Sequence, residues 1–363
     1  MIGSKGSLNA DHCEKEKVVF KKITLEKLGD LVSALKEKGP LYAPVRDGKA
    51  VNFQKITKTA DVTLDFYNTV FSPKFVFFPQ TEDLIRYTLQ KEGAQAEPVP
   101  IAASPSVILG VRPCDAKSFE IMDRHFLGAG IIDPYWKNRR DNTVVIGYAF
   151  DPAAPPDPAD FYNTVGIHAA DTEGSDVFMV RKDGELLLKG ITKKGESLLK
   201  GLAVLDAASA QDEAFFDETI RKDRGVKTRF TEITDTAIAA KLVGSFEKQE
   251  IWEEMTASCI GCGTCTFVCP TCYCFDINDE TLFRKGARKR FWDACMFTDF
   301  TLEASGHNPR PRIFQRYRQK VCHKYSYHVT KYGCISCVGC GRCTRSCPVN
   351  IDIFSIVEKV ANL

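Results

Sequence analysis

Cys259-Ile-Gly-Cys262-Gly-Thr-Cys265-Thr-Phe-Val-Cys269-Pro270 and Cys337-Val-Gly-Cys340-Gly-Arg-Cys343-Thr-Arg-Ser-Cys347-Pro348 are one pattern written twice. Both read C-x2-C-x2-C-x3-C-P in full. Three thiolates from one tight loop can reach three corners of an iron–sulfur cube. Gly261, Gly263, Gly339 and Gly341 let the backbone wrap close, so that its N–H groups can bond the sulfurs. In two-cluster ferredoxins the fourth cysteine ligates the other cluster. The spacing therefore predicts two [4Fe–4S] clusters with crossed ligand sets. One takes Cys259, Cys262, Cys265 and Cys347; the other takes Cys337, Cys340, Cys343 and Cys269. Zinc also accepts four thiolates, but its sites usually pair two C-x2-C units across a longer spacer.

Outside the motifs the composition is ordinary. Of 15 cysteines in 363 residues most lie after residue 258, and close spacing in so large a chain argues for metal over disulfides. The net charge of +2, from 49 basic and 47 acidic residues, gives no global signal for nucleic acid or a membrane surface. Met1 to Lys17 lack the apolar run of a signal peptide, and no apolar stretch approaches the roughly 20 residues of a membrane span. A soluble, cytoplasmic protein is expected. The length suggests two or three domains.

Leu25, Leu28, Leu31, Val32 and Leu35 share one helical face between Thr24 and Gly39. Leu41–Val45, Lys74–Phe78, Val107–Val111 and Thr143–Ala149 are strand-length apolar runs. Ala116–Leu127 is helical between the last two, which reads as an α/β unit. Val177–Arg181 and Glu185–Lys189 flank Asp183-Gly184 as a hairpin. The chain from Leu198 to about Phe230 reads as helical, and Ala237–Glu254 as one long helix entering the first motif. The boundary is placed near residue 230. The expected fold is an α/β N-terminal domain, residues 1–230, followed by an α-helical two-cluster ferredoxin domain, residues 231–363.

The connector between the motifs is long and helix-compatible. From Thr281 to Lys331 it holds twelve Lys or Arg against three acids. That charge suits a docking face for an acidic partner, a set of cations that raise cluster potential, or a solvated helix face. Cys114, Cys272, Cys274 and Cys295 are left over and could build a third metal site. Cys114 follows a strand beside Arg112, at a helix start that would lower its pKa. Buried apolar packing is the alternative for each. His323 and His328 read as packing or surface residues. Neither GxGxxG nor a P-loop occurs, so no nucleotide site is expected on this chain.

With these motifs the chain resembles the family of the iron–sulfur A subunit of anaerobic sulfite reductase and the β subunit of cytoplasmic [NiFe] sulfhydrogenases. Related subunits serve flavin oxidoreductase complexes that work with heterodisulfide reductase. The resemblance rests on Cys269-Pro-Thr-Cys-Tyr-Cys274, Trp292-Asp-Ala-Cys295, Gly306-His-Asn-Pro-Arg310 and the second motif. Weaker support comes from Leu41-Tyr-Ala-Pro-Val45, Lys74-Phe-Val-Phe-Phe-Pro79, Gly110-Val-Arg-Pro-Cys-Asp115 and Arg139–Gly147. It implies an electron-transfer subunit with the eight motif cysteines as ligands. It also implies a partner subunit carrying FAD and NAD(P)H, and a catalytic redox subunit. Family members often carry extra cysteines after the Thr143–Ala149 strand; Tyr148–Asp160 has none. Two rival readings remain: an iron–sulfur enzyme with its own third site, and a redox-sensing, nucleic-acid-binding protein using the basic connector.

Overall fold

The structure is a computed structural model that describes residues 18–102, 104–128, 130–151, 157–223 and 235–363. Met1–Lys17 and the boundary near residue 230 lie outside the described residues. Among the described residues twelve strands form two sheets. They are β1 (Phe20–Thr24), β2 (Leu41–Asp47), β3 (Ala50–Lys55), β4 (Thr81–Leu89), β5 (Ala94–Pro98), β6 (Ser106–Val111), β7 (Thr143–Tyr148), β8 (Val177–Lys182), β9 (Glu185–Gly190), β10 (Asp206–Ala207), β11 (Phe275–Leu282) and β12 (Lys285–Trp292). The large sheet runs β10-β1-β9-β8-β7-β6-β2-β3 and is parallel from β2 through β6 and β7 to β8.

The continuous apolar runs of β6 and β7 suit strands covered on both faces, and every residue of β6 is buried. One face takes the helix Leu28–Lys36 through Leu31, Val32 and Leu35. Helix Pro113–Phe126 follows β6 directly, with its proline at the first turn where no N–H is needed. Its Phe119 and Phe126 pack against Phe77, Phe78 and Trp136. The β8–β9 hairpin turns at Asp183-Gly184, both at positive φ.

Three expectations change. Lys74–Phe78 is a tight 3-10 turn, Pro73–Val76, rather than a strand. Ser72 Oγ accepts from the Lys74 amide at 3.3 Å, and Phe77 and Phe78 both turn inward. The single helix expected over 237–254 is two, Asp235–Ser245 and Gln249–Thr256. The buried Trp252 indole donates to Ser245 O at 3.0 Å, which folds the second helix back on the first. The connector, expected to be helix-compatible, begins as the β11–β12 hairpin. That hairpin adjoins β4 and β5 in an antiparallel sheet ordered β11-β12-β4-β5. Arg290 locks the join, donating to Glu82 at 2.8 Å and pairing with Asp133. The N-terminal region is thus sheet-rich, and the cysteine-rich region shares a sheet with it.

Candidate metal centre

The two motifs fold alike. Gly261 and Gly263 in the first, and Gly339 and Gly341 in the second, all have positive φ. In each loop the amide two residues on bonds the sulfur: Gly261 to Cys259 and Gly339 to Cys337. Thr264 does so to Cys262, and Arg342 to Cys340. Short helices follow, Thr264–Phe267 and Arg342–Arg345. A side chain at Gly339 would meet the Tyr162 amide at 2.4 Å, so close approach as well as φ demands glycine there.

Two cavities lie between the loops. One is lined by Cys259, Cys262, Cys265, Cys343 and Cys347. The other is lined by Cys265, Cys269, Cys337, Cys340 and Cys343. Each cavity thus takes the first three cysteines of one motif and the fourth of the other, with Cys265 and Cys343 shared between them. The Ile351 amide donates to Cys347 Sγ at 3.2 Å. The first cavity is shallow: Cys262 is exposed and Ile260 is 61% exposed. The second is deeper, with Cys269 and Cys340 buried.

Two of the connector's basic residues, Lys320 and Lys324, lie at the second cavity, as the reading of potential-raising cations allowed; Lys74 was not foreseen. Lys324 Nζ donates to Cys269 Sγ at 3.2 Å, Thr271 Oγ1 at 2.9 Å and Ser336 O at 3.0 Å. Lys320 Nζ reaches Cys265 O at 3.0 Å and Cys272 Sγ at 3.8 Å. Lys74 Nζ donates to Cys269 O at 2.8 Å and Cys272 O at 2.9 Å, and lies 4.3 Å from the Trp292 ring centre. All three are at most 3% exposed. Burial lowers the Lys74 pKa to about 8, against the pull of nearby Cys272 and Cys269. The other basic residues of the connector are dispersed. Arg316 caps Met296 O at 3.0 Å, and Arg318 lies 3.8 Å from the Phe246 ring centre. Arg288 pairs with Asp279 at 2.8 Å.

Of the four leftover cysteines Cys114 stands apart, while Cys272, Cys274 and Cys295 lie near one another. Cys114 packs with Ile121, Phe150, Ile167, Val338 and Cys340. Cys274 and Cys295 hydrogen-bond each other, and Cys272 bonds Cys269. The expected lowering of the Cys114 pKa is reversed: burial, with Asp115 beside it, pushes the thiol up. The Arg112 guanidinium turns away to Tyr67 O at 2.9 Å and to the carbonyls of Phe66 and Ala149. Cys114→Ala is therefore expected to keep about eight irons, at a cost of about 1 kcal/mol for the small cavity. Iron analysis and an anaerobic melt check this; loss of about four irons would reveal a third cluster. His323 and His328 act as packing residues, bonding Tyr273 Oη at 2.9 Å and Cys334 O at 2.8 Å.

Paired cavities ringed by cysteines within two ferredoxin-type loops fit the ligand pattern of a two-cluster iron–sulfur protein. Residues 258–351 match the family described as the 4Fe-4S dicluster domain. Nearly the whole chain is similar to the β subunit of sulfhydrogenase 2 of Pyrococcus furiosus: 29% identity over 349 residues, 94% of this chain and 98% of the relative. The β subunit of the F420-dependent formate dehydrogenase of Methanocaldococcus jannaschii is 25% identical over 133 residues, 34% of this chain and 28% of that protein. The resemblance read from the motifs thus extends along the chain, to subunits of oxidoreductases. No helix among the described residues is long and apolar enough to cross a membrane.

Proposed function

We propose that the chain is the electron-transfer subunit of a soluble, cytoplasmic oxidoreductase complex. Cys259, Cys262, Cys265 and Cys347 would hold one [4Fe–4S] cluster; Cys337, Cys340, Cys343 and Cys269 would hold the other. Bound there, the clusters supply two one-electron carriers. The observation that carries this reading is the pair of cavities, each lined by three cysteines of one motif and the fourth of the other. The chain's own part is to fix the thiolates, to donate amide hydrogen bonds to them, and to leave one cavity near the surface.

The N-terminal region, residues 1–230, is read as an α/β assembly domain and residues 231–363 as the ferredoxin domain. Their shared sheet at β4–β12 holds the cluster region to the assembly region. Similarity to β subunits supports a place between a partner carrying FAD and NAD(P)H and a catalytic redox partner of hydrogenase, sulfite reductase or heterodisulfide reductase type.

Protein purified anaerobically is expected to contain about eight irons and eight acid-labile sulfides. It should be brown and bleach on reduction. Stoichiometric zinc without labile sulfide would overturn the proposal.

A further inference from the structure

We infer that Lys324, with Lys320 beside it, makes the cluster built on Cys337, Cys340 and Cys343 the higher-potential member of the pair. The inference rests on the two-cluster reading above. Its starting point is an imbalance of buried charge. Lys74, Lys320 and Lys324 are 2%, 2% and 3% exposed, and among the described residues none forms an ion pair with a carboxylate. Their acceptors are carbonyls, hydroxyls and sulfurs. The chain holds no Asp or Glu between Glu303 and Asp352, the stretch that contains Lys320, Lys324 and the second motif. A buried ammonium with no counter-charge is costly. The available anions are thiolates and whatever they bind. A thiolate-bound cluster is anionic and balances these cations.

The balance falls unequally. Among the described residues Lys320 and Lys324 line the second cavity and no lysine or arginine lines the first, though Lys320 also bonds Cys265 of the first set. Lys324 donates directly to Cys269 Sγ, and its other two bonds hold the ammonium in place. Net charge, hydrogen bonds to the sulfurs and solvent exposure set the potential of such clusters. Net charge favours reduction at the second cavity. Exposure acts in the opposite sense, because water at the Cys262 side also stabilises an added electron. Direct contact of the Lys324 ammonium with a ligand sulfur prevails. A charge felt at an effective dielectric of about 20 acts roughly four times more strongly than at about 80.

The test is an anaerobic redox titration followed by paramagnetic resonance. Two cubane signals with distinct midpoints are expected, and Cys340→Ala should remove the higher one. Cys340 lies in the second motif's own loop, so this assignment does not depend on how the fourth cysteines cross. Lys324→Met should lower that midpoint by at least about a tenfold change in the reduction equilibrium, ~59 mV for one electron. The other midpoint should stay in place, and Lys324→Arg, which keeps the charge, should restore most of the shift. A higher midpoint on the Cys259 cluster, or no movement in Lys324→Met at full iron content, overturns the inference. If Lys324→Met does not hold its iron, Lys324→Gln, which keeps a donor without the charge, decides on the same terms: lowering supports, no movement overturns. Wild-type protein without about eight irons would instead defeat the cluster reading itself.

Discussion

Arg342→Met is expected to destabilise the protein by roughly 3–5 kcal/mol, the range for breaking a buried ion pair. Arg342 stands inside the second motif, between Cys340 and Cys343, yet its guanidinium points into the N-terminal region. It forms a two-pronged bond to Asp115, at 2.7 Å to each oxygen, with side-chain exposures of 1% and 0%. It also donates to Thr69 O at 2.8 Å and Asn68 Oδ1 at 2.6 Å. Methionine keeps much of the volume and strands the Asp115 carboxylate in a dry site. Removing both charges in Asp115→Ala/Arg342→Met should recover part of the loss, because no uncompensated ion remains. Recovery is incomplete, since Thr69 and Asn68 lose donors in either case. Anaerobic thermal midpoints of the parent, both single variants and the double variant give the cycle. A fall of roughly 10 °C is expected for Arg342→Met. A midpoint unchanged in that variant, or a double variant that costs the sum of the singles, would refute the pairing.

The cluster loops were legible because ligand spacing is local. Cys-x2-Cys-x2-Cys dictates how the backbone must wrap, and the positive φ of Gly261 and Gly339 is its direct consequence. The central strands were legible for a related reason: the apolar runs of β6 and β7 are long enough to be buried on both faces. The β11–β12 hairpin was not. Phe275–Leu282 is mostly exposed and charged, with little alternation to betray a strand. Its neighbour Lys285–Trp292 is held extended by pairing with β4, distant in sequence. Opposite charges facing across the hairpin, such as Asp279 and Arg288, add support that appears only once the register is known. Strand preference there comes from its partners rather than its own residues.

The charge of the connector left three readings open for a similar reason. Twelve basic residues in one stretch look like a surface property, and Arg290, Arg316, Lys320 and Lys324 are instead buried. The signal that could have found the lysines is the lack of any acid between Glu303 and Asp352, combined with the four-residue spacing of Lys320 and Lys324. That spacing places both near one side of a helical turn. Cations that cannot meet a carboxylate in their own segment must find another anion, and the only ones close by are sulfurs. The Arg342–Asp115 pair had no comparable signal, because its partners meet only in the tertiary fold.

Replacing the fourth cysteine of either motif is expected to remove the cluster of the other motif. Cys269→Ala should leave about four irons and extinguish the signal of the cluster held by Cys337, Cys340 and Cys343. Cys347→Ala should extinguish the signal of the cluster held by Cys259, Cys262 and Cys265. The reasoning begins with direction along the chain. The short helix Thr264–Phe267 carries the backbone out of the first loop, so Cys269 reaches the deeper cavity and not the one its own motif opens. Helix Arg342–Arg345 does the same for Cys347 in the opposite sense. The two losses should differ in severity. Cys269 is buried, and its removal leaves Lys324 without its sulfur partner in a site closed to water. The cost is then an unpaired buried cation in addition to a missing ligand. Cys347 is only half-buried, so solvent can complete the iron coordination, and a fraction of that cluster should survive. Iron counts on anaerobic protein, with paramagnetic resonance to say which signal is lost, separate the outcomes. If each substitution destroys only the cluster of its own motif, the crossed assignment is wrong.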